Sequence, residues 1–231
     1  MDLAGFIEIY DSVPPAYYAW MFERIKKYLA DPVLEIGSGP GIMTGHLLQQ
    51  GFRVTGLERN EEIFKRLQEM FRQEPRFVGV RGDVETDDLA ALPGAPFGTV
   101  VCLNLLEHLE DDRRALLAFH RCLRPEGRLV VLVPAFPGLF GRMDELFGHR
   151  RRYRKAELEA AMRTSGFACR LDYFNSLGVL GWWWRFRVCR SERFSPSQNR
   201  VYERLIPVLK TMESWLHPPF GLSLIAVGEK R

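Results

Sequence analysis

The sequence predicts an α/β protein built on a mostly parallel, doubly wound sheet. Three observations lead to this prediction: a glycine-rich turn after a short apolar run, an alternation of strand and helix patterns, and acidic residues where successive strands end. The apolar run Val33–Ile36 enters the turn Gly37–Gly41, and residues 42–50 have a helical pattern. This order forms the nucleotide-binding unit of Rossmann-like folds, because glycines let the backbone approach a ligand closely.

The remaining elements follow from periodicity and from turn residues. From Val33 onward strand and helix patterns alternate about every 20–25 residues, which favours a parallel sheet covered by helices. An N-terminal helix begins at Pro14-Pro15 and ends before Asp31-Pro32. Further strands are expected at residues 53–58, 76–81, 99–104, 128–133, 167–174 and 222–229, with helices at 61–73, 111–123 and 155–165. A helical insertion at 175–220 carries an amphipathic stripe of Val201, Leu205, Val208, Leu209, Met212 and Leu216.

Polar residues at the ends of three strands have the chemistry of a nucleotide site. Glu58 lies 21 positions after Gly37, where nucleotide folds place the acid that accepts hydrogen bonds from ribose hydroxyls. Asp83 follows the next apolar run, and Asn104 follows the fourth. Taken singly, they are compatible with a solvated carboxylate, a turn former and a helix cap. Together, behind the glycine turn, they predict a cofactor at the carboxyl ends of the strands.

The run Glu35-x-Gly-x-Gly-x-Gly41 resembles motif I of the class I S-adenosylmethionine-dependent methyltransferases. The whole layout is similar to type-11-like, small-molecule and lipid-associated members, including a Gly-His-x-Arg-Arg-Tyr loop and the tail at 219–228. The resemblance implies a seven-stranded sheet with an antiparallel last strand, S-adenosylmethionine as cofactor and S-adenosylhomocysteine as product. It also implies one domain with a helical lid (1–31), a cofactor half (32–133) and an acceptor half (134–231). The implied cofactor contacts are Glu35, Gly37, Ser38, Gly39, Gly41, Glu58, Arg59, Asp83, Val84, Asn104 and Leu105.

The predicted reaction is methyl transfer to a small-molecule or lipid-like acceptor, with an anionic acceptor as one option. A hydroxyl acceptor requires a base, and His149 and His108 are the candidates, ahead of Tyr10 and Tyr17. The loop after the fifth strand should lie over the site, and its Arg150, Arg151, Arg152 and Tyr153 are predicted to bind the acceptor, as is Trp182. The alternative is a solvated helix entry in which Asp144 pairs with one of the arginines. No metal site is predicted.

A run of three tryptophans, Trp182 to Trp184, leaves three interpretations open. Side chains at consecutive helical positions fan across a wide arc, so the three cannot all face one core stripe. Core or lid packing, a lipid-facing acceptor mouth with peripheral membrane contact, and base stacking remain, although we do not expect nucleic acid as a partner. Residues 142–231 hold 17 Lys and Arg against 9 Asp and Glu, whereas residues 1–141 hold 15 against 20. An anionic partner of the second half would fit this imbalance.

Composition limits the remaining classes of protein. The longest apolar runs are too short to span a bilayer, no secretory signal is evident, and four scattered cysteines fit a reducing compartment, so we expect a cytoplasmic protein with a membrane-peripheral location as the alternative. A nicotinamide-dependent oxidoreductase is a rival, but Ile42 stands where a dinucleotide fingerprint has its third small residue. A non-catalytic module that binds S-adenosylmethionine is the second rival.

Overall fold

The protein is built on one seven-stranded sheet, seen in a computed structural model that describes residues 13–183, 196–216 and 218–231. The strands are β1 (Val33–Ile36), β2 (Val54–Glu58), β3 (Phe77–Arg81), β4 (Phe97–Leu103), β5 (Leu123–Pro134), β6 (Phe167–Phe174) and β7 (Ser223–Lys230). Their spatial order is β3-β2-β1-β4-β5-β7-β6. β7 runs antiparallel to β5 and β6, and the other pairings are parallel. The predicted fold class is confirmed.

The helices lie where the sequence pattern changes period. They are α1 (Pro15–Ile25), α2 (Ile42–Gln49), α3 (Glu61–Met70), α4 (Asp112–Cys122), α5 (Arg142–Phe147), α6 (Lys155–Thr164), α7 (Ser176–Trp182) and α8 (Pro196–Leu216). Two of them, α3 and α4, begin at a side chain that caps the helix. At the start of α3, the Asn60 side chain accepts hydrogen bonds from the backbone N–H groups of Glu62 and Ile63. Such caps satisfy donors that have no partner within the helix, and so they fix where the helix begins.

Both faces of the sheet are buried, as doubly wound parallel sheets require. In β4, Val100 and Cys102 join one core with α4 and α6, whereas Val101 faces the opposite core with α1, α2 and α8. In β5, Val131 and Val130 divide between the two cores in the same way. This alternation explains why the sequence of a central strand is apolar without interruption.

The C-terminal insertion forms α7 and α8, but the predicted apolar stripe of α8 is wrong. Leu209 of that stripe is buried and Met212 is partly buried against the same core, whereas four other stripe residues are exposed: Val201, Leu205, Val208 and Leu216. The buried face instead contains Ile206 and the carboxylate of Glu213. Glu213 accepts hydrogen bonds from the backbone N–H groups of Asn175 and Ser176 and from the Ser176 hydroxyl, at the start of α7. The buried side of α8 therefore combines apolar side chains with a carboxyl group that binds the start of α7.

α1 packs on the same core as α2 and α8, through Trp20, Met21, Phe22 and Ile25. Tyr10 and Trp184 lie outside the described residues. Among the residues that are described, no helix has the length and apolar character needed to cross a membrane.

Candidate active site

The glycine turn between β1 and α2 forms a narrow cradle. Gly37, Gly39 and Gly41 have φ values of 71°, 54° and 85°, in the left-handed region that glycine adopts without strain. A Cβ atom on Gly37 would lie 3.0 Å from Cδ1 of Leu105, so the turn passes close to the chain that follows β4. The main chain is thus exposed to a ligand where side chains would fill the space, which fits a bound nucleotide-like cofactor.

Glu58 ties the end of β2 to this turn. Its Oε2 accepts a hydrogen bond from the Gly39 N–H at 3.0 Å, and its Oε1 accepts one from the Asn60 N–H at 2.8 Å. A carboxylate has about four lone-pair sites, so these two bonds leave capacity for a ligand hydroxyl. The structure therefore brings the predicted acid and the predicted glycine turn into contact.

Asp83 lies beside them at the end of β3. The backbone N–H of Gly82 donates to the Glu58 carbonyl at 3.1 Å, which places the end of β3 beside the end of β2. Asp83 Oδ1 accepts from the Glu85 N–H at 3.0 Å, and Oδ2 lies 3.4 Å from Arg59 Nη1. Val84 is buried next to it. Four of the predicted cofactor contacts thus lie at one edge of the sheet: Glu58, Arg59, Asp83 and Val84.

Glu35, the first residue of the glycine motif, is buried in β1. Its Oε2 accepts a hydrogen bond from the Thr44 hydroxyl of α2. Burial raises the pKa of this carboxyl to about 7, against the hydrogen bond from Thr44. Glu35 therefore joins the strand and the helix on either side of the turn. Direct contact between Glu35 and the cofactor stays a prediction, as it does for the neighbouring Ser38, which is also buried.

Asn104 and Leu105 lie where β4 ends. Asn104 has a φ of 51°, an uncommon value for a residue other than glycine, and its N–H donates to the Leu132 carbonyl at 2.8 Å. Its side chain is exposed, and Leu105 lies against Gly37. This sharp turn leads the chain towards Glu107 and His108.

Glu107 and His108 lie next to His149, which belongs to the loop after β5. The Glu107 side chain is fully buried, and His149 Nε2 lies 3.8 Å from its Oε1. The two imidazole rings pack edge-to-face, with centroids 4.8 Å apart. Burial raises the pKa of Glu107 to about 8 and lowers that of His108 to about 4. The two predicted catalytic histidines are therefore neighbours.

Asp144 orients His149. His149 Nδ1 lies 2.9 Å from Asp144 Oδ1, and the same oxygen accepts a hydrogen bond from Arg152 Nε at 2.7 Å. Burial acts to raise the pKa of Asp144, but the hydrogen bonds from His149 and Arg152 outweigh it and hold that pKa below its ordinary value. A carboxylate beside Nδ1 favours the tautomer of His149 that carries its proton on Nδ1 and its lone pair on Nε2.

The arginines predicted to bind an acceptor instead bind the chain itself. Arg150 Nε donates to the His108 carbonyl at 3.0 Å, and an amino group of Arg151 donates to the Leu109 and Glu110 carbonyls at 2.9 and 3.0 Å. We define the stapled loop as residues 141–153, the segment held in this way against residues 106–112. Some of their donors therefore have backbone acceptors about 40 residues away, and an acceptor contact by Arg150 or Arg151 stays a prediction.

Tyr153 and Arg152 were also predicted to bind the acceptor, and both are buried within the protein. The Tyr153 hydroxyl lies 2.8 Å from Asp112 Oδ2. Arg152, besides pairing with Asp144, has its guanidinium carbon 4.8 Å from the ring centroid of Trp182. These contacts hold Arg152 and Tyr153 within the fold, and an acceptor contact by either of them or by Trp182 stays a prediction.

Sequence reasoning missed Glu107 and the positioning role of Asp144. Glu107 precedes a predicted catalytic histidine and lies in the run Glu107–Asp112, where four of the six residues are acidic. Its position directly beside His108 was the available signal. Asp144 was considered only as a partner of an arginine, and its contact with His149 requires the turn made by α5.

Comparison with known proteins identifies the family. The family model for the methyltransferase domain matches residues 17–171, which is more than half of the chain. The chain belongs to this family. Membership confirms the prediction of a class I S-adenosylmethionine-dependent methyltransferase, including its cofactor.

Individual relatives are more distant. The ubiquinone biosynthesis O-methyltransferase of Xylella fastidiosa (strain 9a5c) is 31% identical over 106 residues, covering 43% of this chain and 40% of that protein. The chain therefore aligns with less than half the length of this relative. A SAM-dependent methyltransferase from Archaeoglobus fulgidus has a TM-score of 0.65 at 18% identity, covering 99% of this chain and 100% of that one.

A further structure with the same fold holds the cofactor. Phosphoethanolamine N-methyltransferase 2 of Haemonchus contortus, in complex with S-adenosyl-L-methionine, has a TM-score of 0.60 at 14% identity. The match covers 89% of this chain and 51% of that one. At these identities the structures show a shared fold, and the acceptor must be argued from the residues of this chain.

Proposed function

We propose that this protein transfers the methyl group of S-adenosylmethionine to a hydroxyl group of a small molecule. The observation that carries the proposal is the Asp144–His149 pair. His149 lies next to Glu107, which is close to the cofactor edge of the sheet. Leu105, which lies against Gly37, precedes Glu107 by two residues. The named activity of the Xylella relative, an O-methyltransferase, supports an oxygen acceptor.

The residues that would hold the cofactor come from the ends of three strands, β1, β2 and β3. We assign Glu58 to the ribose hydroxyls and Asp83 to the adenine amino group, following the family pattern, the bond from the Gly39 N–H to Glu58, and the position of Asp83 beside the end of β2. The backbone of Gly37 and Gly39 would lie along the methionine part. When bound, the cofactor supplies an electrophilic methyl group on a positively charged sulfur.

The histidines would prepare the acceptor. The His149 Nε2 lone pair is directed by Asp144 and is suited to interact with a hydroxyl proton. His108 remains uncharged near neutral pH because its pKa is low, so it adds no positive charge beside the cofactor's sulfur. A hydroxyl that loses its proton becomes a stronger nucleophile, and alignment and exclusion of water supply the rest.

The test uses labelled-methyl S-adenosylmethionine with a panel of phenols, aliphatic alcohols, carboxylates and amines. We expect label in a hydroxyl compound, and a His149→Gln variant should reduce kcat with little change in the affinity for S-adenosylhomocysteine. His120→Gln is the matched control, because His120 packs on Phe167, outside the site. Label found only in amines, or equal rates in the His149 variant, would contradict the proposal. Stabilisation by NAD and not by S-adenosylhomocysteine would favour the oxidoreductase.

A second proposal concerns where the acceptor is met. We propose that α8 contacts an anionic lipid surface, which would give access to a lipid-like acceptor. Support comes from exposed apolar side chains on α8, among which Trp215 is 83% exposed and Val208 63% exposed. Arg204 and Lys210 are exposed on the same helix, within the basic half of the chain. Apolar side chains bordered by cations suit the interface of an anionic membrane.

Flotation with phosphatidylglycerol vesicles tests this contact. We expect the protein to float with these vesicles and not with neutral phosphatidylcholine vesicles. A Val208→Ser/Trp215→Ser variant should stay at the bottom of the gradient. Leu117→Ser, at an exposed leucine of α4, is the control and should float like the parent. Absence of the parent protein from the vesicle fraction would end this proposal without affecting the first.

A further inference from the structure

Three side chains at the candidate active site are arranged like the ligands of a metal ion. Glu107, His108 and His149 each offer one ligand atom, and these atoms all lie within 4.8 Å of one another. They come from two segments, one after β4 and one in the stapled loop. We propose that these residues bind a divalent transition-metal ion, with Zn²⁺ as the ion for testing.

The state of Glu107 is the first independent observation. Its side chain is fully buried, and neither carboxylate oxygen has a hydrogen-bond partner among the described residues. A buried polar group without a partner is costly, and such groups in native structures require an explanation. Its Oε1 faces His149 Nε2 at 3.8 Å. A cation between them would supply the missing partner.

The orientation of both histidines is the second observation. His149 Nδ1 lies 2.9 Å from Asp144 Oδ1, and His108 Nδ1 lies 3.2 Å from the carbonyl oxygen of Gly148. In the tautomers that donate from Nδ1 to these two acceptors, the lone pairs would lie on Nε2, where a metal could bind. Metal-binding histidines nearly always donate their other N–H to a carboxylate or a backbone carbonyl, which fixes the ring. Arg152 in turn holds Asp144.

The ligand types indicate the class of ion. Two imidazoles and one carboxylate suit zinc or another transition metal more than Mg²⁺ or Ca²⁺, which prefer oxygen ligands. Three protein ligands leave a position open, as in catalytic zinc sites and unlike closed structural sites. The open position would accept an oxygen of the acceptor.

A bound ion deepens the proposed function, on which this step rests. The cation would lower the pKa of the coordinated hydroxyl, whose proton passes to solvent. The resulting oxygen anion attacks the methyl carbon. The carbon–sulfur bond breaks, its electron pair remains on sulfur, and a neutral thioether leaves. His149 and His108 then act as ligands of the ion, and the ion takes over the activation assigned above to the histidine lone pair.

The binding test does not depend on turnover. Purified full-length protein is dialysed against a chelator and titrated with ZnCl₂ by calorimetry, with MgCl₂ in a parallel titration. Co²⁺ is added separately to record its visible absorption, which reports the ligand set. We expect one Zn²⁺ bound per chain, no comparable Mg²⁺ binding, and no Zn²⁺ site in Glu107→Gln or His149→Gln. Asp144→Asn should bind more weakly by roughly 10–100-fold, as expected for a residue that orients a ligand.

Glu110→Gln is the matched control, since Glu110 is an exposed carboxylate three residues from Glu107. Thermal melts establish that each variant is folded. Zn²⁺ binding that persists unchanged in both ligand variants, or no binding by the parent, would overturn the inference. Methyl transfer at full rate in chelator-treated protein would also overturn it while leaving the proposed function intact. Zn²⁺ binding without any methyl transfer would do the reverse.

Discussion

Replacing Glu35 by glutamine should make the stability of this protein less dependent on pH. The Glu35 carboxyl is buried in β1, and burial raises its pKa from the ordinary 4.5 to about 7. A carboxyl with a raised pKa in the folded state favours folding below pH 4.5, and this contribution is lost as pH rises to 7. At about 1.36 kcal/mol per pKa unit, the loss amounts to about 3 kcal/mol.

The assay is urea unfolding of both proteins at pH 5 and pH 8. Glutamine has no charge to bury, so the free energy of unfolding of Glu35→Gln relative to the parent should rise by about 2–3 kcal/mol between these two pH values. Glu62→Gln, at an exposed glutamate in the first turn of α3, is the control and should show no such change. A difference between Glu35→Gln and the parent that is constant with pH would refute the reasoning, because it would mean that Glu35 ionises as readily in the folded chain as in the unfolded one.

Three further substitutions test other contacts. Asp83→Ala should weaken S-adenosylhomocysteine binding by about 1–3 kcal/mol in calorimetry, the usual cost of unpairing a polar partner; an unchanged Kd would remove Asp83 from the site. Gly37→Ala should lower cofactor affinity at least about tenfold, because its Cβ would lie 3.0 Å from Leu105 and its φ of 71° disfavours alanine; parent-like affinity would contradict the cradle. Glu213→Ala should lower the free energy of unfolding by about 3 kcal/mol, because the donors of Ser176 and its neighbour lose their acceptor; a loss below about 0.5 kcal/mol would contradict this.

The fold was predictable because its signals are local. Strand β6 was predicted with its observed limits, since Gly166 ends the preceding helix and alternation continues to Phe174. The glycine turn and the acids at the strand ends were predictable for the same reason, because parallel strands bring their carboxyl ends to one edge. The face of α8 was not predictable from apolar spacing. Glu213 lies on the buried side, and only the distant donors at the start of α7 explain its burial.

The roles of the site residues were less predictable because they depend on contacts far apart in sequence. Arg150 and Arg151 have the charge expected of anion ligands, but the carbonyl acceptors that they use follow β4, about 40 residues earlier. Glu107 is one of several acidic residues in its segment, and sequence gives no sign that it is buried without a partner. His108 and His149 were predicted separately as candidate bases, and their contact with each other depends on the fold.

The stapled loop limits how this part of the protein can be exchanged with the corresponding part of a relative. The loop is bound to residues 106–112 through Arg150, Arg151 and Tyr153. The two segments that surround His149 are therefore held together by hydrogen bonds. Replacing only one of these segments with that of a relative would separate the side-chain donors of the loop from the backbone carbonyls that they bind, and it would leave buried polar groups unpaired. A chimaera that exchanges both segments together preserves those bonds and keeps Glu107 and His149 next to each other.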